Sequence, residues 1–386
     1  MNMLSRERVY KAVEHKAADR LPLAFDATYE VIERLVKYLG IDKEIPPNPS
    51  STSTYSTKVG PREFGTDHEI ALRKKLGVDL VILGCPTSKD KTIGNWYGFP
   101  LIKRLKDNTI EGAWGIKFKE FEYPYGTYIE MYDPPLSKID DYKTIVSYPS
   151  PDLDLYNYAS LSDLVPRFDG FFIFLMMNGF HDISRFIRGT EKLFIDLVIS
   201  PKSAETLLDK VCDFNIAYLK RCMEKVKGKV DGVFCGDDFG SQKGMMMSPK
   251  MWRKFIKPRY EKIVSVAHSF GLKYCHHSCG GIRPIIPDLI EIGVDILNPI
   301  QPQATGMDPS ELGNEFGKEI VFFGGIDEQE TLPHGTVEDV KAEVRQRIKT
   351  LGKYNGYIIS PSHDFQPDTP IENVLAIYEE VLNEKL

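Results

Sequence analysis

Nowhere in the 386 residues of this chain does an apolar run approach the roughly 18 residues that a membrane-spanning helix needs. The charge-rich segment from Met1 to Arg20 lacks the apolar centre of a secretory signal. No membrane association is therefore predicted, and a cytoplasmic protein is the expectation. Cysteine is sparse: six residues, at 85, 212, 222, 235, 275 and 279, without the compact spacing of a disulfide framework, so reduced thiols are expected. Surplus positive charge is missing as well. The formal net charge is −6, and lysines and arginines are scattered rather than blocked, which argues against a nucleic-acid partner. Internal repeats and low-complexity tracts are absent. What remains is a globular composition, 42% hydrophobic and 27% charged, with enough apolar material for a large core.

Periodicity supplies the fold class. Short apolar, β-rich runs occupy residues 21–27, 78–84, 171–177, 232–236, 272–277, 296–299, 320–325 and 357–360, most of them apolar on both faces, as a buried parallel sheet demands. Helical patterns alternate with them, at 66–75, 184–199, 201–227, 249–270, 282–292, 337–351 and 371–386. Eight strand-then-helix units predict a single (β/α)₈ barrel domain over residues 1–386. Residues 93–132 break the rhythm. Their alternating aromatic runs, cut by Gly and Pro, predict an inserted β-hairpin subdomain near the barrel mouth.

In such barrels the chemistry collects at the carboxyl ends of strands, and polar residues of this chain gather there. Asp26 ends the first run, Asn178 and His181 follow the third, and Asp237 and Asp238 follow the fourth. The fifth ends in His277-Ser278-Cys279-Gly280-Gly281, and the last in Ser362-His363-Asp364. An imidazole and a thiolate two residues apart can reach one Zn²⁺. The plainer reading is a buried His and a small apolar Cys at a strand end. His363 is the natural third ligand, because the fifth and eighth strand ends of a closed barrel face one cavity; otherwise it is a substrate hydrogen-bonder or a structural histidine. Asp237 and Asp238 could supply an oxygen ligand, an orienting contact to His277, or a general acid or base; loop capping is their bland alternative.

Several motifs together carry a family likeness. Met3-Leu4-Ser5-Arg6-Glu7-Arg8, Asp19-Arg20-Leu21-Pro22, Arg188-Gly189-Thr190-Glu191, Gly236-Asp237-Asp238, His277-Ser278-Cys279-Gly280, Gly324-Gly325-Ile326-Asp327 and Pro370-Ile371-Glu372-Asn373 resemble the uroporphyrinogen decarboxylase superfamily along essentially the whole chain. The resemblance implies one of two branches: cofactor-free porphyrinogen decarboxylases, or zinc methyltransferases that exchange methyl groups with a corrinoid. The decarboxylases follow the first proline with an Arg-Gln-Ala-Gly-Arg motif that holds substrate carboxylates. Here Leu21-Pro22 leads into Leu23-Ala24-Phe25-Asp26, so that clamp is missing and an anionic porphyrinogen would be repelled.

The methyltransferase branch carries a His-x-Cys pair, matched by His277 and Cys279, and a third ligand that is commonly Cys; here the position holds His363. Decarboxylases of the superfamily also carry His there without zinc, so only the pair separates the branches. The resemblance thus implies zinc held by His277, Cys279 and His363, with a methyl group passing between a small donor and a corrinoid on a partner protein. No Asp-x-His-x-x-Gly cobalamin pattern occurs in the chain, in keeping with a separate carrier. Asp237, Asp238 and Asp26 are the expected catalytic carboxylates. Asn178, His181, Trp96, Tyr97, Phe172 and Met176 are the expected substrate-binding residues, and their aromatic character points first to a methoxyaromatic donor. Thiol methylation of the coenzyme M type, decarboxylation and ligand binding without catalysis are the competing functions, and a homodimer is the candidate assembly.

Overall fold

The computed structural model describes residues 3–41, 67–84, 95–96, 99–105, 109–123, 126–226, 228–383 and 385. Its central sheet has seven strands, β1 (Leu80–Leu83), β2 (Phe172–Asn178), β3 (Gly232–Gly236), β4 (Lys273–His277), β5 (Ile296–Ile300), β6 (Val321–Ile326) and β7 (Tyr357–Pro361), bonded in that order. Every pairing is parallel. Alternate side chains point inward, so Leu80, Phe172, Phe174, Phe234, Cys275, Ile296, Val321, Phe323 and Ile358 fill the interior. The opposite faces join the larger core beneath the surrounding helices. Strands apolar on both sides are what this two-sided burial selects.

The first predicted strand, residues 21–27, is corrected. It forms two isolated parallel bridges, Leu23 to Ile359 and Ala27 to Phe365, whose registers differ by two residues. Pro22 has no N–H to give, and the Leu23 N–H is taken by the Asp79 carboxylate at 2.8 Å instead of a ladder carbonyl. The segment still closes the ring. The Ala24 N–H reaches the Ile359 carbonyl at 2.9 Å on one side, and the Asp79 N–H reaches the Leu23 carbonyl at 2.8 Å on the other.

The amino end of the barrel is sealed by the helix Ser5–Val13. Asp79, fully buried, accepts from Arg8 and, at 2.6 Å, from Arg20. Asp231, also buried, accepts from Arg6 at 2.7 Å and from the Tyr10 hydroxyl at 2.8 Å. The amino-terminal motifs are therefore structural: each buried carboxylate is paired and hydrogen-bonded, the condition under which such charges are tolerated.

Residues 95–133 contain the predicted insertion as an antiparallel sheet of Asn95–Trp96, Phe99–Arg104, Thr109–Gly112, Lys117–Tyr123 and Gly126–Asp133, in sequence order. Its anchor is Trp114, which packs edge-on to Phe214 at 5.1 Å and whose carbonyl accepts from the Tyr148 hydroxyl at 2.5 Å. Phe214 lies on the helix Pro201–Val226, whose Asn215 amide donates to the Asn178 carbonyl at 2.7 Å. The sheet is thus fastened to the barrel flank, level with the carboxyl end of β2.

Two predicted helices are divided. Residues 184–199 fall in Phe180–Arg188 and Thr190–Ile199, separated by Gly189 at φ +84°, a conformation that favours glycine. Residues 249–270 divide into Pro249–Phe255 and Lys257–Ser269, where Pro258 cannot donate to the preceding turn. No described helix is long and apolar enough to cross a membrane.

Candidate functional site

The carboxyl end of β4 is held by its neighbours one peptide at a time. The Ser278 N–H donates to the Asn298 carbonyl at 2.7 Å, Cys279 N–H to Asp238 Oδ1 at 2.8 Å, and Gly280 N–H to Gln301 Oε1 at 2.7 Å. Gly280 sits at φ +80°, and a Cβ there would lie 2.4 Å from the Ser241 nitrogen. Only glycine lets the chain turn so tightly against the neighbouring hairpin. The result is a fixed strand end from which His277 and Cys279, two residues apart, project the same way.

Cys279 Sγ lies 3.6 Å from His277 Nε2. The other ring nitrogen, Nδ1, is 2.6 Å from Asn298 Oδ1; an amide oxygen only accepts, so Nδ1 carries the proton and Nε2 presents its lone pair toward the sulfur. His363 joins from the end of β7, its ring centroid 5.7 Å from that of His277. The ligand atoms of His277, Cys279 and His363 all lie within 4.8 Å of one another. A tetrahedral zinc with bonds of about 2.0–2.3 Å spaces its ligands by roughly 3.3–3.8 Å, which the 3.6 Å pair already meets.

The electrostatics suit a cation. Burial pushes the Cys279 thiol well above its ordinary range, and Asp238, Glu328, Asp182 and Asp364 push it the same way. A thiolate forms in such a field only when a positive ion compensates it. Burial, with His277 adding to it, holds His363 down at about 3, so this imidazole is neutral and able to ligate. The donor set fits zinc. His363 is the weakest member, because its Nδ1 accepts the Asp364 N–H at 2.8 Å. Ligation through Nδ1 would compete for that lone pair, and ligation through Nε2 requires a proton on Nδ1 and loss of the bond.

His277 and His363 line a cavity of about 80 Å³. Its walls are apolar over Phe25, Leu80, Ile82, Met176, Phe234 and Phe323, and polar at Asp26, His277, Asn298, Ser360, His363 and Asp364. Among the described residues that line it there is no lysine or arginine. Of the residues singled out in the sequence, Asp26 and Met176 line this cavity, and Asp238 is close by, its Oδ1 4.0 Å from His277 Nε2.

Other predicted residues are placed elsewhere. Asp237 is buried and turned outward, accepting from the His181 and Asp182 N–H groups at 3.1 and 2.6 Å and from the Tyr260 hydroxyl at 2.7 Å. It caps the helix Phe180–Arg188. Burial and the Asp182 charge push its carboxyl well above the usual range. His181 is enclosed between Phe194 and Phe239, fully buried, with Nδ1 3.7 Å from Asp237 Oδ1. Phe172 lies at the amino end of its strand, against Tyr10 at 5.1 Å, so it plugs the barrel bottom. Asn178 is half-buried and sits outside the cavity wall. Trp96 is on the inserted sheet, and Tyr97 falls outside the described residues.

Sequence reasoning passed over two residues. Asn298 orients His277. Glu328 follows β6, with a buried Oε2 that lacks a hydrogen-bond partner and a carboxyl that burial, then the Asp364 charge, push up to about 8. The run Asp327-Glu328 after a strand was the available signal.

The family model for uroporphyrinogen decarboxylase (URO-D) matches residues 181–383, more than half of the chain. A uroporphyrinogen decarboxylase from Chlorobaculum tepidum is 23% identical over 188 residues, covering 48% of this chain and 50% of the relative. A methylated-thiol–coenzyme M methyltransferase from Methanosarcina mazei is 22% identical over 219 residues, covering 56% and 55%. The chain spans about half the length of these curated relatives. A solved methyltransferase structure from Methanosarcina mazei superposes with a TM-score of 0.71 at 17% identity, covering 99% of both chains, and shows the shared fold.

Proposed function

We propose that this chain, which belongs to the uroporphyrinogen decarboxylase family, is a zinc methyltransferase passing a methyl group between a small methylated donor and a corrinoid protein. The observation that carries this reading is the pair His277 Nε2 and Cys279 Sγ, 3.6 Å apart, with the imidazole oriented by Asn298. His277, Cys279 and His363 would hold the ion. When bound, zinc supplies Lewis acidity to the heteroatom that bears the methyl group.

The chain's own residues do the rest. Asn298 keeps the His277 lone pair inward. Asp238 fixes the Cys279 backbone, so the thiol is presented at one depth. The walls of Phe25, Met176, Phe234 and Phe323 exclude water and favour a flat apolar donor; a methoxyaromatic compound is the first candidate. Asp26 and Asp364 line the same cavity. The corrinoid partner would dock over the carboxyl end of the barrel.

Decarboxylation of a porphyrinogen is disfavoured because Ala24, Phe25 and Asp26, the segment that replaces the arginine motif, form cavity wall. Metal analysis tests the proposal. Wild-type protein should carry zinc in a one-to-one ratio, and Cys279→Ser should lose it; zinc that survives the substitution refutes this ligand set. Incubation with reduced corrinoid protein and a methoxyaromatic donor should change the cobalt absorption. Reaction with thiols alone would reject demethylation.

A further inference from the structure

Toward the amino end of the barrel the cavity stops on aromatic rings. Phe234 and Phe323 line it, their rings edge to face at 6.3 Å and 74°, and both belong to the inward-facing cluster that fills the interior. Beneath them the filling is continuous. Phe234 packs edge-on to Phe174 at 6.3 Å, Phe174 lies 4.8 Å from Phe172, and Phe172 meets Tyr10 of the sealing helix at 5.1 Å. Phe172, Phe174, Cys275, Ile296 and Ile358 are fully buried, and none of them lines the cavity. The floor made by Phe234 and Phe323 thus rests on a column of packed rings that reaches the amino end, and an interior packed in this way resists the insertion of further atoms.

The space above this floor is small. Its volume of about 80 Å³ is near half that of an apolar cavity able to take a benzene ring, roughly 150 Å³. In the proposed transfer the methyl carbon must face a corrinoid that arrives from the carboxyl end, so the remainder of the donor points toward Phe234 and Phe323. A single ring then enters edge-first, with its methyl-bearing end at the strand ends. Atoms added opposite the methoxy group would strike the floor.

Resting on the reading of this cavity as the donor site, we propose that Phe234 and Phe323 set the length of the donor, admitting a methyl ether of one ring and rejecting the same ring extended opposite the methoxy group. Phe323 is the residue to vary. Phe234 packs against His277 at 5.6 Å, so its loss would disturb the triad, whereas the Phe323 carbonyl that accepts from Asn298 belongs to the backbone and survives substitution. Two probes, anisole and 4-ethylanisole, differ only in the extension. Their binding to the purified protein is measured by isothermal titration calorimetry.

Each buried methylene tightens binding about fourfold where space exists, so a cavity without this floor would favour 4-ethylanisole by about fifteenfold. Wild type should instead bind it at least about tenfold more weakly than anisole. In Phe323→Ala the order should reverse, with 4-ethylanisole bound at least about threefold more tightly. Where that variant fails to fold, Phe323→Leu, which removes less volume, should narrow the wild-type difference to within about threefold. Wild type binding 4-ethylanisole as tightly as anisole, an unchanged difference in the variant that folds, or no binding of either probe at its solubility limit overturns the proposal. The expected binding order without methyl transfer to reduced corrinoid protein would overturn the methyltransferase reading alone. Equal transfer rates from the two ethers would overturn this inference alone.

Discussion

Substituting Asn298 tests the architecture of the site without removing a ligand. The Asn298 side chain is buried; its Oδ1 is 2.6 Å from His277 Nδ1 and its amide donates to the Phe323 carbonyl at 3.3 Å. In Asn298→Ala the imidazole loses the acceptor of its Nδ1 proton and is free to rotate or to change tautomer. Loss of such an orienting partner costs about 10–100-fold in metal affinity, which is about 1.4–2.7 kcal/mol. The stranded N–H adds about 1–3 kcal/mol of instability. Asn298→Asp keeps the acceptor, adds charge that strengthens the imidazole as a ligand, and gives up only the bond to Phe323. Zinc affinity, read by competition with a chromogenic chelator, should therefore fall for Ala and stay at or above wild type for Asp. Thermal melts of the metal-free proteins should show both variants folded. Unchanged affinity in Asn298→Ala, or an equal fall in Asn298→Asp, would refute the claim that Asn298 orients His277.

At the opposite end of the barrel, Asp79→Ala removes the acceptor of Arg8, Arg20 and the Leu23 N–H and should cost about 3–5 kcal/mol in urea unfolding, with zinc affinity of the folded protein unchanged. Asp19 is held down at about 2, chiefly by its hydrogen bond from Arg8. A carboxylate depressed in this way stabilises the fold above its unfolded pKa of about 3.9, and the contribution is lost as pH falls through the folded value. Wild type should therefore lose stability relative to Asp19→Asn between about pH 4 and pH 2, by less than about 1 kcal/mol because the side chain is partly exposed. A difference between the two that is independent of pH would contradict the assignment.

The sequence reading succeeds where one strand suffices and fails where a second is needed. Buried parallel strands announce themselves through runs apolar on both faces, and a two-residue spacing at a strand end sends His277 and Cys279 the same way. The segment after Leu21 misleads because its closing contacts come from Asp79 and Ile359, both distant in the chain. Phe172 is misplaced for a related reason. Composition says that it faces inward, but only the docking of Tyr10 tells which end of the barrel it fills. Adjacent Asp237 and Asp238 part company at their strand end, and the deciding neighbour is Gly179, where a Cβ would fall 2.1 Å from the Asp237 carboxyl carbon. Register explains Asn298, which pairs with His277 across β4 and β5. The same reasoning bears on the third ligand. His363 reaches the cavity because β7 closes the ring, and that much follows from counting strands. Its readiness to bind depends on the next peptide, since the Asp364 N–H occupies Nδ1. His277 is prepared for an ion by its partner, whereas His363 must exchange one; if the proposed zinc binds, the pair at the end of β4 would therefore provide most of the affinity, and His363 would complete the set.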